Sequence, residues 1–390
     1  MELFPVRILY HHRTRSKDGQ YVHIEEMIHA LRAQGHEIVI VAPPSAETES
    51  FGADAGAVAL LKRWLPKWFY ELMELGYSLV AYRRLAKAIR EHKPDCIYER
   101  YNLFLPAGIW AARRHKLPLL LEVNAPILEE RSRYDGLALT RLARWSQAYA
   151  WKKADMVLPV TRVLGDIVQS YGVDPQRIVV IPNGINGERF ERAPDVDAAK
   201  RALGLDGRLV LGFTGFVRDW HGLDKVLDLI AADPPGSPRH LLVVGDGPAR
   251  AGLERQARAL GIENRVTFTG IVGRDDVARH VAAFDIALQP AVVAYASPLK
   301  LFEYLALGKA IVGPAQPNIE EILRQDHNAV LFDPADPDGL ARAVSRLCED
   351  AALRVRVAEN AQRTIDDLQL TWGANARKVA TLFGKLGPHA

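Results

Sequence analysis

Two cysteines in 390 residues, Cys96 and Cys348, are too few for a disulfide framework or a thiolate metal site. That scarcity fits a chain that works in a reducing cytoplasm. Nowhere does an unbroken apolar run approach the roughly 18 residues that span a bilayer. Met1-Glu-Leu-Phe-Pro-Val-Arg7 lacks a basic segment followed by an apolar run, so no secretory leader is expected. The net charge is only +3, too small to argue for nucleic acid as a partner. No repeat of solenoid period and no low-complexity tract interrupts the sequence. What is present, 48% hydrophobic and 25% charged residues, is an ordinary globular balance at a length that favours two domains.

Both halves alternate short β-rich apolar runs with amphipathic helical stretches, the pattern of parallel sheets covered by helices on both faces. In the first half Val6–Tyr10, Glu37–Val41, Pro94–Tyr98, Leu117–Glu122, Ala154–Leu158 and Arg177–Pro182 read as strands, and His23–Gln34 reads as a helix ended by Gly35. The second half restarts the rhythm with strands at Arg208–Phe213, His240–Gly245, Arg265–Phe268, Ile286–Leu288 and Ala310–Val312. Helices are expected from Leu223, from Pro248 to Leu260, and over Trp372–Leu386. The segment from Asn183 to about Val196, rich in Gly, Asn, Pro and charge, reads as a linker. The expected architecture is α/β, two Rossmann-like doubly wound domains over 1–190 and 191–370, with 371–390 packing back on the first. In such sheets ligands sit outside the carboxyl ends of strands, and two of them in tandem imply a central cleft.

One stretch stands out, Ala296-Ser-Pro-Leu-Lys-Leu-Phe-Glu-Tyr-Leu-Ala-Leu-Gly-Lys-Ala-Ile-Val312. Ser297 is a good N-cap, Pro298 suits the first helical position, and Gly308 suits a left-handed stop. Lys300 and Glu303 are three residues apart and share a helix face. Free N–H groups and an ammonium at a helix start favour bound phosphate, and a carboxylate one turn on accepts hydrogen bonds from sugar hydroxyls. An ordinary solvated Lys–Glu pair on a capped helix is the competing reading of the same residues.

Other constellations carry two readings each. Asp333-Pro-Ala-Asp-Pro-Asp338 is read as capping a helix near Pro337 through Asp336, because it lacks calcium-loop spacing. His11 and His12 follow the first strand without further ligands nearby in sequence. Glu99-Arg100-Tyr101 lies at a strand end, where acceptor contact and an internal ion pair are equal alternatives. Glu129, Glu130 and Arg131 invite an acceptor role but are read as a solvated charge run. Residues 62–70, Lys-Arg-Trp-Leu-Pro-Lys-Trp-Phe-Tyr, read either as a peripheral membrane contact or as aromatics packed on the first domain, with Pro66 interrupting the stripe.

With these residues in view, the chain resembles the family 4 glycosyltransferases of GT-B fold over its whole length. Asp18-Gly-Gln20 resembles their N-terminal glycine loop, and Ile181-Pro-Asn-Gly184 with Phe190 resembles the end of their acceptor domain. Phe213-Thr-Gly215, His221-Gly222, Val244-Gly-Asp-Gly-Pro248, Val266-Thr-Phe-Thr-Gly270, Asp285 and Ser297–Gly308 resemble the donor domain. The resemblance implies a retaining, metal-independent hexosyltransferase. It would move sugar from a UDP- or GDP-sugar to a glycan or lipid-linked saccharide in cell-surface polysaccharide assembly, in the cytoplasm or at the inner face of the membrane. It implies Lys300, Glu303 and Arg218 as catalytic residues. Gly19, Gly215, His221, Gly247, Val272, Ser297, Pro298 and Leu299 join them in donor binding. Glu99, Arg100 and Asn124 are the acceptor candidates, and no metal ligand is implied.

Four positions depart from that resemblance. Tyr295 stands where many relatives have the first of two glutamates spaced eight apart, Phe216 and His221 replace a common Arg and Lys, and Asn124 replaces a His. Two residues along, Arg218 is read as supplying the missing charge, with a surface pair to Asp219 as the competing reading; a retaining front-face reaction lets the leaving phosphate take the acceptor proton, so Asn124 does not exclude catalysis, and a turn residue before Pro126 is its other reading. The alternatives are a protein that binds nucleotide sugar without transferring it and a nucleotide-sugar epimerase of the same fold.

Overall fold

A computed structural model of the chain describes residues 5–14, 19–43, 65–274 and 276–386. The backbone divides into two compact units. The first runs to Pro182 and adds Tyr295–Ser297 and the segment from Trp372; the second holds Asn183–Ala294 and Pro298–Thr371.

The first unit is built on β1 (Arg7–His11), β2 (Glu37–Val41), β3 (Cys96–Arg100), β4 (Leu119–Val123) and β5 (Met156–Pro159). All pair in parallel in the order β2-β1-β3-β4-β5. β3 and β4 are buried at every position, as strands covered on both faces must be. The helices Lys67–His92 and Ala107–His115 end on Lys93 and Lys116 in the left-handed conformation, each followed by a proline that cannot continue the helix one or two residues on. The helix Trp372–Leu386 belongs to this unit: the Trp372 ring meets His23 edge-on, Gln34 Nε2 donates to the Gly373 carbonyl, and Asn375 Nδ2 donates to the Pro182 carbonyl.

The second unit carries β6 (Leu209–Thr214), β7 (Arg239–Val244), β8 (Val266–Phe268), β9 (Ile286–Leu288), β10 (Ala310–Pro314) and β11 (Val330–Phe332). Their parallel order is β11-β10-β9-β6-β7-β8. The chain winds outward from β6 through β7 to β8, then returns to place β9 on the other side of β6. That reversal opens a crevice at the carboxyl ends of β6 and β9, where a doubly wound sheet binds its ligand. In the first unit the equivalent reversal lies between β1 and β3.

Several sequence expectations change. Arg177–Pro182 is not a strand. Only Ile178 bridges Val157, while the Val179 and Ile181 N–H groups donate to β5 carbonyls from one side. The segment read as a linker contains a helical turn, Gly187–Glu191, and Phe190 packs on the apolar core of the second unit. β11 was not foreseen, since three residues give too short an apolar run to signal a strand. Pro66 does not interrupt an amphipathic stripe; it occupies the cap position of Lys67–His92. Trp68 and Phe69 are 49% and 41% exposed and meet each other edge to face rather than packing inward. Lys62, Arg63 and Trp64 of that stretch, and Asp18 of the glycine loop, lie outside the described residues. Among the described residues no helix is long and apolar enough to cross a membrane.

Candidate active site

The helix Leu299–Ala306 starts one residue later than the sequence suggests. Pro298, with φ −70° and ψ 121°, takes the cap position, and no side chain caps this end. Ser297 therefore sits before the cap, buried, and is not the N-cap. An intrahelical bond cannot reach the first-turn N–H groups of Leu299 and Lys300, which are the donors such a helix offers to an anion. The other end closes as expected. Gly308 has φ 55°, its N–H donates to the Leu305 carbonyl, and the Lys309 N–H donates to the Tyr304 carbonyl. Tyr304, fully buried, ties the crevice together: its hydroxyl accepts the Thr214 N–H at the end of β6 (3.0 Å) and donates to the Leu288 carbonyl at the end of β9 (3.3 Å).

Lys300 does not form a solvated pair with Glu303. Both are half-buried, and the Lys300 ammonium lies over the Phe213 ring, 3.6 Å from its centroid. Burial lowers the Lys300 pKa to about 7 and raises that of Glu303 to about 7; each charge opposes the other's shift only in part. Glu303 Oε2 is a buried oxygen with no hydrogen-bond partner. A half-buried ammonium and an unsatisfied carboxylate on one helix face cost stability unless a ligand completes them.

Around Lys300 the backbone comes close. A Cβ on Gly215 would meet Lys300 Cε and Nζ at 3.4 Å, and Gly215 has φ 124°. The Gly215 N–H, a candidate phosphate donor from the sequence, is taken by the Val244 carbonyl (2.9 Å), so this glycine contributes space instead. Gly245, at φ 136°, and Gly247 allow that approach: a Cβ on the first would fall 2.2 Å from the Gly215 carbonyl oxygen, on the second 2.2 Å from that of Val217. Gly247 is thus a packing glycine, and its own N–H donates to Asp246 Oδ1.

His221 is buried between the Phe213 and Trp220 rings, at centroid distances of 5.0 and 4.0 Å. Its Nδ1 accepts the Arg218 N–H at 3.1 Å. Burial, then the Lys300 and Arg218 charges, lower its pKa to about 3. The ring is therefore neutral with its proton on Nε2, which makes it a neutral donor. Arg218 is exposed, its guanidinium 4.9 Å from the centroid of the Phe216 ring. Val272 is half-buried and packs on the core that also holds Phe302 and Leu305.

In the first unit Gly19 opens the helix Gly19–Ala33. Glu99 is buried and bonds His11 Nδ1 at 2.6 Å, and Arg100 bonds Glu122 Oε1 at 2.5 Å. The internal alternative is therefore the arrangement present, but the partners are His11 and Glu122 rather than each other. Glu122, which the sequence did not single out, is the hub. It also accepts from Tyr98 Oη (2.8 Å) and Asn124 Nδ2 (2.5 Å) and lies 2.9 Å from His23 Nε2, and these partners hold its carboxyl far below the ordinary range despite burial. Half-buried Asn124 is oriented by that bond. His12 is buried, with Nδ1 unpartnered and its pKa lowered to about 4, first by burial and then by His11 and Arg100. The run Glu129–Arg131 is partnered rather than free, although Glu129 is exposed: Glu129 accepts from Gln147 Nε2 and Tyr171 Oη, Glu130 accepts from Tyr295 Oη, and Arg131 pairs with Glu74 at 2.8 Å. Asp336 does not cap the next helix, which begins at Gly339. It accepts the Asp338 N–H and pairs with Arg342.

Comparison with known proteins places this geometry among relatives. Residues 17–189 match the family described as Glycosyltransferase Family 4, and residues 195–364 match Glycosyl transferases group 1. The chain is 31% identical over 316 residues to a D-inositol 3-phosphate glycosyltransferase of Salinispora arenicola, covering 75% of this chain and 68% of that protein. It is 30% identical over 316 residues to the protein of the same description from Salinispora tropica, where the match covers 75% of this chain but only 64% of the relative's length. Among solved structures, Anabaena HepE in complex with UDP superposes with a TM-score of 0.74 at 20% identity, covering 97% of this chain and 100% of that one. The likeness to HepE shows the fold, two Rossmann-like parallel-sheet units of the GT-B type.

Proposed function

The chain belongs to the family 4-type glycosyltransferases, and on that premise we propose that it moves a sugar from a UDP- or GDP-sugar to a glycan or lipid-linked saccharide, with retention and without a metal. One observation carries the reading: the Lys300 ammonium is half-buried over Phe213 at the β6/β9 crevice, with no ion pair among the described residues. Lys300 is a cation placed for an anion that the second unit does not itself supply.

In this reading the diphosphate binds at the start of Leu299–Ala306. As the bond between the sugar and the phosphate oxygen breaks, negative charge grows on the diphosphate. Lys300, the first-turn N–H groups, His221 Nε2–H and Arg218 are the donors that stabilise it, and they take the place of a divalent ion. The acceptor oxygen bonds the sugar carbon on the face the diphosphate leaves, and the acceptor proton passes to the departing phosphate oxygen. Glu303 Oε2 gains the hydrogen bond it lacks from a sugar hydroxyl of the donor. Asn124, turned by Glu122, offers hydrogen bonds to an acceptor hydroxyl but no base at neutral pH. Val272 and its neighbours contact the base through backbone groups. UDP, which HepE binds, makes uridine the first base to test.

The test is turnover of labelled UDP- and GDP-sugars with and without saccharide acceptors, in the presence of EDTA. The expected result is acceptor-dependent transfer, insensitive to EDTA, giving a product of unchanged anomeric configuration. Binding without transfer or hydrolysis of any donor would mark a binding protein instead. Release of free sugar or epimer with no acceptor present would mark the epimerase chemistry.

A further inference from the structure

Strands β6 and β9 pair only at Leu211↔Ile286 and Gly212↔Ala287, although they run on to Thr214 and Leu288. Beyond those two pairs the Tyr304 hydroxyl stands between the strand ends, accepting the Thr214 N–H (3.0 Å) and donating to the Leu288 carbonyl (3.3 Å). A side chain replaces the ladder, so the two strands part where the sheet reverses and its crevice opens. Tyr304, Thr214 and Leu288 are all buried, so both bonds are made out of reach of solvent. Burial also raises the Tyr304 pKa well above its ordinary value, which keeps the donated proton in place at any working pH. The ring meets Phe284 edge to face at 6.1 Å, and Phe284 lies against Gly212, where a Cβ would fall 2.0 Å from it.

The residues on either side of Thr214 form the bed of Lys300. The Phe213 ring centroid lies 3.6 Å from the ammonium, and a Cβ on Gly215 would meet Lys300 Nζ at 3.4 Å. Lys300 and Tyr304 share one face of the helix Leu299–Ala306, so one helix supplies both the cation and the bond that holds the strand end beside it. The geometry points to Tyr304 as a positioning residue: its hydroxyl sets the end of β6 against its own helix, and so fixes where Lys300 meets a bound diphosphate. This rests on the diphosphate reading above and deepens it, and all its parts belong to the second unit. A phenylalanine at this position fills the same space but leaves the Thr214 N–H and the Leu288 carbonyl buried without that partner. Relieving the loss moves the strand end, and Phe213 and Gly215 move with it.

The test compares Tyr304→Phe, Lys300→Ala, the double variant Tyr304→Phe/Lys300→Ala and Leu205→Ala, each in the full chain and each checked for folding by circular dichroism. Leu205 is buried in the same apolar core but precedes β6, at the opposite end of the sheet, and is the control for lost stability alone. Losing the Tyr304 hydroxyl is expected to weaken UDP binding by about tenfold and to speed exchange of the Thr214 amide by about tenfold relative to the rest of β6. Adding Tyr304→Phe to Lys300→Ala is expected to cost no further affinity, because the hydroxyl acts through Lys300. Leu205→Ala is expected to melt earlier with UDP affinity unchanged. In the wild type, a measurement that needs no variant, saturating UDP is expected to slow exchange at Thr214 more than at Leu205. Unchanged UDP affinity in Tyr304→Phe, additive losses in the double variant, an equal loss in Leu205→Ala, or equal protection of Thr214 and Leu205 overturns the positioning role and leaves the diphosphate reading standing. Unchanged Thr214 exchange in Tyr304→Phe overturns the tie itself. A wild type that binds no UDP overturns the diphosphate reading, and the aiming role falls with it.

Discussion

Lys300 and Glu303 are each pushed by burial toward their neutral forms, and their mutual attraction recovers only part of that cost. The consequence is a pH dependence with a definite sign. A bound diphosphate favours the charged ammonium, so it raises the Lys300 pKa from about 7. Between the free and bound values, binding takes up a proton. Affinity for UDP-glucose, whose diphosphate does not titrate in this range, is therefore highest below pH 7 and falls as pH rises, by at most about tenfold per unit for one proton. Deprotonation of Glu303 over the same range works in the same direction, since it adds negative charge beside the anion. Titration calorimetry in buffers of different ionisation enthalpy detects the uptake, and Lys300→Met removes the Lys300 share of it, leaving only that of Glu303. His221 contributes no further step above pH 5, because its pKa is already lowered to about 3.

Short elements carry the close approaches that shape the site. The β7 end is the sharpest, since a Cβ on Gly245 would fall 2.2 Å from the Gly215 oxygen in a backbone conformation that side chains rarely adopt. Gly245→Ala is expected to lower the melting temperature by several degrees, at about 2–4 °C per kcal/mol for a domain of this size. It should also weaken UDP binding at least tenfold, because Gly215 must move against Lys300. Gly252→Ala, inside the helix Arg250–Ala259 with only the far end of Arg255 within reach, is the control expected to stabilise by about 0.5–1 kcal/mol. Legibility in the sequence followed element type. Glu37–Val41, Ile286–Leu288 and Trp372–Leu386 fall where periodicity and flanking residues put them. The Gly308 stop was legible because one glycine in one conformation suffices. The start of the same helix was not, because Ser297 and Pro298 each satisfy a cap rule and only the backbone chooses between them. Arg177–Pro182 has the composition of a strand but bonds β5 from one side only. The Glu122 hub was invisible for a different reason: Tyr98 lies 24 residues from its partner, and no local pattern encodes such a pairing.

Across the whole molecule, each unit gathers a group of buried polar side chains at the carboxyl end of its sheet, around Glu122 in the first and Lys300 with Glu303 in the second. The first set is satisfied internally by Tyr98, Arg100 and Asn124, with His23 alongside. In the second, Lys300 has no ion pair among the described residues and Glu303 Oε2 has no hydrogen bond, which is why the diphosphate is assigned there. The most direct measurement is calorimetric titration of UDP into the wild-type chain and into Lys300→Ala at pH 7, with circular dichroism to establish that both are folded. Binding by the wild type and a loss of about thirtyfold or more in Lys300→Ala is the predicted result, on the scale of a charge-assisted hydrogen bond in a half-buried site. Equal affinity in the two proteins would contradict the account.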